Sequence, residues 1–171
     1  MKNTVYIAGP MEGLSQSEMT GWRKEFTELA NDLHVVDVKD PTRRIPFRSD
    51  DTINQARMVF RADLMDINNS AVVFLDLRKG KGYAWGTAME AMYAWQANKP
   101  LIIWTNQEDP RHPFIESMAT AVVHSLQDGV EKVIALIEPP KREVPDSGSA
   151  AEAVAAISPS FWPSLYHTKV Q

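Results

Sequence analysis

The chain has 171 residues, 44% hydrophobic and 23% charged, the composition of an ordinary one-domain globular protein. Its net charge of −4 leaves no basic footprint for nucleic acid, and the absence of cysteine excludes a disulfide framework, thiolate zinc and a cysteine nucleophile. No apolar run approaches the roughly 18–20 residues that span a bilayer, and "MKNTVYIAGP" enters a strand-like run without room for a signal peptide, so a cytoplasmic protein is expected.

Taken in order, "TVYIAGP" reads as a buried first strand closed by Gly9 and Pro10. Met19, Trp22, Phe26, Leu29 and Ala30 recur at helical spacing between Ser15 and about Asn31. "HVVDV" (34–38) predicts a second strand, followed by the polar loop "KDPTRRIPFRSDD". A second helix is predicted from about Thr52 to Asn68, with Ile53, Ala56, Val59, Phe60, Leu64 and Ile67 on its inner face. "AVVFLDL" (71–77) is a continuous apolar run, as suits a strand covered on both sides. A helix containing Glu90 follows, then the strand "PLIIWT" (100–105), a polar loop and a short helix from about Phe114. "AVVHSL" (121–126) predicts a fifth strand and "QDGVEKVIALIE" a last helix.

Strands alternating with helices across short loops predict a doubly wound α/β fold with a five-stranded parallel sheet. The composition changes at Pro139, so residues 1–138 are expected to form the domain. Residues 139–171, rich in Pro, Ser and Ala, are expected to form a linker and tail. Within that tail "FWPSLYH" has aromatics enough to dock on a neighbouring surface.

The Glu90 helix poses the functional question. Between Lys81 and Lys99 there is one charged residue, Glu90. A helical wheel places it with Gly86, Tyr93, Ala94 and Ala97, and makes Trp85, Ala88, Met89, Met92 and Trp95 the expected core face. A glutamate on a helix is ordinarily solvated. Here, however, it has no charged partner on its face, and its neighbours there are small or aromatic. The helix also follows a strand directly, which sets its start at the carboxyl edge of the sheet, where open α/β folds bind ligands. The free N–H groups of the helix start are expected to hold the carboxylate ionised, as a nucleophile or base would require.

Other candidates lie at the same edge. "YIAGPMEG" is a glycine-containing turn that matches neither a dinucleotide fingerprint nor a P-loop, yet its N–H groups suit a sugar hydroxyl or phosphate as well as they suit a plain tight turn. Tyr6 precedes it on the strand, where burial with a satisfied hydroxyl is the ordinary state. Asp63 and Asp66, three apart on the second helix, read as two solvated carboxylates or as one facing the site. Asp76 ends the third strand, near the ligand edge or capping the loop "RKGKG". Arg43, Arg44 and Arg48 form a basic loop, solvated or meeting an anion. The histidines at 34, 112, 124 and 167 lack metal-ligand spacing, and no G-x-S-x-G elbow occurs. Neither a metal nor a cofactor is expected.

Together "VYIAGPMEG", "FRADLMDINNSAVVFLD" and "GTAMEAMYAWQANKP" resemble the nucleoside 2-deoxyribosyltransferase superfamily over residues 4–137. That group includes deoxyribosyltransferases, nucleoside 5′-monophosphate N-glycosidases and a short phage-associated branch with an "AGPM-x-G" start. The resemblance implies a flavodoxin-like three-layer sandwich. It also implies cleavage of the N-glycosidic bond of 2′-deoxynucleosides or their 5′-monophosphates, without a cofactor, through a covalent glycosyl ester on Glu90. The sugar then passes to another base or to water, by the logic of a retaining glycosidase.

By the same resemblance Asp63 contacts and protonates the base, and Tyr6 orients the nucleophile. Ala8, Gly9, Pro10 and Met11, with Gly86 and Asp76, line the sugar and base. A homo-oligomer, at least a dimer, is implied, because the family completes its site across a subunit boundary; "PFIESM" would supply Glu116 or Ser117. One departure is Ala84, where the transferases usually carry an aspartate and the monophosphate hydrolases often a serine. That departure motivates a different reading, a nucleotide-binding or sensing protein without turnover. A phosphoribohydrolase of the cytokinin-activating type is disfavoured by the lack of a "PGGxGT" run.

Overall fold

Strand pairing sets the frame. The computed structural model describes residues 3–32, 37–44, 52–78, 85–106 and 113–138. Within them the strands are β1 (Thr4–Ala8), β2 (Asp37–Lys39), β3 (Val72–Asp76), β4 (Leu101–Trp104) and β5 (Ala121–Val123). They form a five-stranded sheet in the order β2-β1-β3-β4-β5, every pair parallel. Every residue of β1, β3 and β4 is buried, which accounts for their nearly unbroken apolar runs.

Helices cover both faces. Strand alternation sends Val5, Ile7, Val72, Phe74, Ile102 and Trp104 to one side. There they meet Trp22, Phe26 and Ala30 of α1 (Gln16–Asp32) and Leu126, Val130 and Val133 of α5 (Leu126–Ile137). Tyr6, Ala8, Val73, Leu75, Leu101 and Ile103 point the other way. They meet Ile67 of α2 (Thr52–Asn69), Ala91 and Ala94 of α3 (Trp85–Gln96), and Ile115 and Met118 of α4 (Pro113–Met118). This is the flavodoxin-like three-layer sandwich, with its switch point between β1 and β3.

Local chemistry fixes the helix ends. Ser15 and Glu18 form a reciprocal capping box at the start of α1, the Ser15 N–H donating to Glu18 Oε2 at 2.9 Å. Ser125 accepts from the Asp128 N–H at 3.1 Å and starts α5. The strand expected over 121–126 therefore stops at Val123, because that hydroxyl commits the chain to a helix. Beyond α3, Asn98 takes a left-handed conformation (φ 54°) while Lys99 donates to the Ala94 carbonyl, a C-terminal stop. A 3-10 turn at Pro41–Arg44 occupies the start of the expected loop. Of the second strand expected over 34–38, residues 37 and 38 are seen as strand, which continues to Lys39; residues 33–36 lie outside the described residues, as do the 138/139 boundary and the tail.

Two expected core faces are corrected. On α3 the buried positions are Thr87, Ala91 and Ala94, whereas Trp85 is 78% and Met89 60% exposed, with Met92 and Trp95 also outside. Small residues face the sheet, and the bulky stripe turns away from it. On α2, Ile67 is buried, but Ile53, Ala56 and Phe60 are exposed.

The opposite layer is tightly packed. A Cβ built at Gly129 of α5 would lie 2.4 Å from Phe74 Cε2, in a core where Phe74 also touches Trp22, Phe26 and Trp104. Gly129→Ala is expected to lower stability by about 1–3 kcal/mol, because a ring wedged among three others has little freedom to retreat. Urea unfolding of the purified protein checks it, and an unchanged midpoint would show that α5 sits further from the sheet.

Candidate active site

The site lies at the carboxyl edge of β1 and β3. Period-2 alternation turns Tyr6 of β1 toward α3, and its hydroxyl donates to Glu90 Oε1 at 2.5 Å. Tyr6 is wholly buried, and burial with the neighbouring carboxylates pushes its ionisation far upward, so the hydroxyl stays protonated and remains a donor.

Glu90 is the sixth residue of α3. That corrects the expectation that the helix start holds it ionised, since the dipole effect fades within the first turn. Burial instead pushes its carboxyl up to about 7; the Tyr6 hydrogen bond and the Arg23 charge act downward, Asp63 upward.

Asp63 approaches from α2. It is buried, and Arg44 Nη1 donates to its Oδ1 at 2.5 Å. Burial pushes Asp63 up to about 6 against the pull of Arg44. Arg43 and Arg44 both also bind Asp66. The solvated account of Asp63 and Asp66 is thus corrected: the 3-10 turn carries two arginines onto α2 and pairs both carboxylates.

A pocket of about 310 Å³ opens above Glu90. Its lining comes from the loop after β1 (Gly9, Pro10, Met11, Glu12), from α2 (Val59, Phe60, Asp63, Leu64) and from α3 (Gly86, Thr87, Met89, Glu90). Gly9 is packed from below. A Cβ there would lie 2.9 Å from Trp22 Cζ2 and 3.0 Å from Asp76 Cβ, so the loop can pass this close only without a side chain.

Six residues expected from the sequence therefore meet at this pocket: Glu90, Asp63, Gly9, Pro10, Met11 and Gly86, with Tyr6 beneath them. Four do not line it. Ala8 is buried in β1. Asp76 is bound through both oxygens by Arg78, at 2.8 Å each, and that guanidinium lies 3.5 Å over the Trp104 ring. Glu116 and Ser117 are exposed on α4, and the Ser117 hydroxyl donates to the Pro113 carbonyl. Ala84 and Arg48 lie outside the described residues.

Glu12, Thr87, Val59, Phe60, Leu64 and Met89 were not anticipated as lining residues. Thr87, buried inside the "GTAME" run, had a signal in its place one turn before Glu90. Among the described residues, no cluster of three or more His, Cys, Asp or Glu side chains could hold a metal ion, and no helix is long and apolar enough to cross a membrane.

These features define a doubly wound α/β protein with a tyrosine-bound carboxylate in a pocket at the sheet's switch point. The family model for nucleoside 2-deoxyribosyltransferases matches residues 5–126, and the chain belongs to that family. No curated protein matches it.

Among solved structures, the 2-deoxyribosyltransferase of Bacillus psychrosaccharolyticus superposes with a TM-score of 0.62 at 19% identity, over 73% of this chain and 88% of that one. A conserved protein from Enterococcus faecalis V583 gives 0.64 at 16% identity, over 78% and 98%. The molybdenum cofactor binding protein from Rippkaea orientalis gives 0.52 at 12% identity, over 81% and 99%. At these identities the likeness is one of fold.

The raised carboxyl of Glu90 has a consequence for stability. Its folded value, about 7, exceeds the ordinary 4.5, so its contribution is fully present below about pH 4.5 and lost as pH rises through about 7. Asp63, raised from 3.8 to about 6, has the same sign. Glu90→Gln is expected to gain roughly 1–3 kcal/mol on the wild type between pH 5 and pH 8. Urea midpoints across that range isolate the Glu90 part, and parallel curves would show that Glu90 is not desolvated.

Proposed function

We propose that the protein cleaves the N-glycosidic bond of 2′-deoxynucleosides through a covalent glycosyl ester on Glu90. The observation that carries this reading is the Tyr6–Glu90 pair, a half-buried carboxylate held by a hydroxyl at 2.5 Å on the floor of a pocket that Asp63 also lines.

In the first step Glu90 attacks C1′. The C1′–N bond breaks, its electron pair leaves with the base, and Asp63 supplies the proton that the base takes. Tyr6 fixes Glu90 through Oε1 and leaves Oε2 for the attack. In the second step another base or water attacks C1′, its proton passes to the Asp63 carboxylate, and the ester bond breaks so that Glu90 departs as carboxylate. The loop Gly9–Met11 and Gly86 border the sugar. Glu12, Asp63 and Glu90 make the described lining acidic, which favours an uncharged nucleoside over its 5′-monophosphate. The cysteine-free composition fits a reducing compartment, and we place the reaction in the cytoplasm.

A second copy of the chain completes the site in this reading. Trp85, Met89, Met92 and Trp95 form an exposed stripe on α3, and Met58, Phe60 and Met65 are exposed on α2, in the helix layer that borders the pocket. Phe60 of the exposed α2 group and Met89 of the α3 stripe also line the pocket, so a partner seated there would close it. Glu116 or Ser117 of α4, beside α3, would then be offered to the partner's pocket.

Three results are expected. Wild type offered deoxynucleosides and an acceptor base releases free base on chromatography, and Glu90→Ala lowers the rate by at least about a thousandfold with the fold intact. Saturable binding without release, surviving Glu90→Gln, would instead make this a sensing protein. The pH dependence of kcat/KM is expected to be a bell centred between pH 6 and 7, with Glu90 ionised and Asp63 protonated; a plateau running above pH 8 would remove Asp63 as the acid. The wild type is expected to sediment as a dimer or larger. Trp95→Asp, outside the pocket lining, should give a monomer with activity reduced about tenfold or more. A fully active monomer would overturn the shared site.

A further inference from the structure

Arg23 is a feature that neither the sheet nor the proposed reaction explains. It sits on α1, in the layer opposite Glu90, and its side chain is completely buried. A charge so placed costs more than the leucine or methionine a core position would ordinarily hold. Its guanidinium lies 4.5 Å over the Trp22 ring and reaches the loop after β1. There Nη2 donates to the Gly9 carbonyl at 2.9 Å, while Nη1 donates to the Met19 carbonyl of its own helix. Nε stands 3.4 Å from Asp40 Oδ1 but has no hydrogen-bond partner.

We propose that Arg23 is a positioning residue of the site: it fixes the pocket loop through the Gly9 carbonyl and presents a permanent positive charge to the Tyr6–Glu90 pair from beneath. The proposal rests on the reading of Glu90 given above. A Cβ on Gly9 would come within 3.5 Å of Arg23 Nη2, so the guanidinium is one backbone thickness below the pocket floor. Burial lowers the ionisation of the guanidinium, while the charges of Asp40 from the segment after β2, Asp76 from β3, Glu90 from α3 and Tyr6 from β1 act to hold it protonated. Asp76 already has Arg78 on both oxygens. Glu90 in turn is bound by Tyr6 and acted on by the charges of Asp63 from α2 and of Arg23. Of these only Arg23 is cationic, and it favours the carboxylate form. A planar guanidinium holds the loop carbonyl with one edge and keeps its charge at any working pH; lysine would keep the charge without the fork.

The test reads Glu90 directly. Carbon-13 NMR of the side-chain carboxyl, assigned by its loss in Glu90→Gln, gives the titration midpoint without reference to turnover. Arg23→Gln, which can still donate to Gly9 but carries no charge, should raise the midpoint by roughly one pH unit. Arg23→Lys should leave it near the wild-type value. Under the proposed activity, Arg23→Gln should lower kcat/KM about tenfold on the acid limb, with the difference closing above the midpoint.

If Arg23→Gln leaves the midpoint in place, or Arg23→Lys moves it equally, Arg23 only packs the loop and the proposal fails. Should Arg23→Gln not fold, Asp40→Asn decides instead. Removing that carboxylate leaves more of the guanidinium charge for Glu90, so the midpoint should fall, and an unmoved midpoint overturns the proposal. A wild type that releases no base sinks the glycosidic reading alone, since the titration still decides Arg23.

Discussion

The hydrogen bond from Tyr6 to Glu90 is the constraint on which the site depends. On the proposed reading two requirements conflict at position 90: a carboxylate that attacks a sugar carbon must be shielded from water, yet shielding favours its protonated form. The structure answers with a donor that cannot itself ionise there, because the burial that raises Glu90 raises the tyrosine far more. The geometry follows from the fold. A side chain on β1 reaches α3 only because strand alternation turns residue 6 to that face, and only because β3, which feeds α3, lies beside β1 at the switch point.

The sheet was legible because its strands are covered on both sides, so their apolar runs need no knowledge of partners. Glu90 was legible as an isolated charge. The orientation of α3 was not. A hydrophobicity pattern assumes that the face away from the core meets water, and on that assumption Trp85, Met89, Met92 and Trp95 belong inside. The sheet instead accepts Thr87, Ala91 and Ala94, whose small side chains let the helix lie close to β3 and β4. On the proposed reading the bulky apolar groups on the outside of α3 are what a second copy of the chain would cover.

The pairing of Arg43 and Arg44 with Asp66 and Asp63 was hidden for a different reason. The partners are about twenty residues apart, on elements whose contact depends on the whole fold, and spacing along one helix carries no trace of it. The difference matters for Asp63. As a solvated carboxylate it would be plainly ionised; buried, with Arg44 on one oxygen, it titrates near 6 and interacts with Glu90. The Asp63 charge raises Glu90, and with the two carboxyls at about 6 and about 7 the pocket holds about one proton between those values. On the proposed reading that proton must sit on Asp63 when a nucleoside enters. Tyr6 and Arg23 pull Glu90 toward the anion, whereas Arg44 pulls Asp63 the same way; a base nitrogen that accepts from Asp63 would tip the balance.

The fold does not by itself set this chemistry. A protein described as binding molybdenum cofactor shares the architecture over most of both chains, and a doubly wound sheet offers every such protein the same crevice. What distinguishes this chain is which side chains arrive there. β1 brings a tyrosine from below, α2 a carboxylate tied to an arginine, and α3 a carboxylate with no cation on its own helix. α1, from the far layer, sends an arginine under the loop after β1. Each of those elements would fold as well around apolar residues at the same positions, so the buried charges must be justified by the site rather than by stability. Their arrangement follows one rule. Groups that favour the anion of Glu90 stand beneath it, on the β1 strand and under the loop, while the other acid stands across the pocket. On the proposed reading a substrate lying between them would meet a nucleophile on one side and a proton on the other.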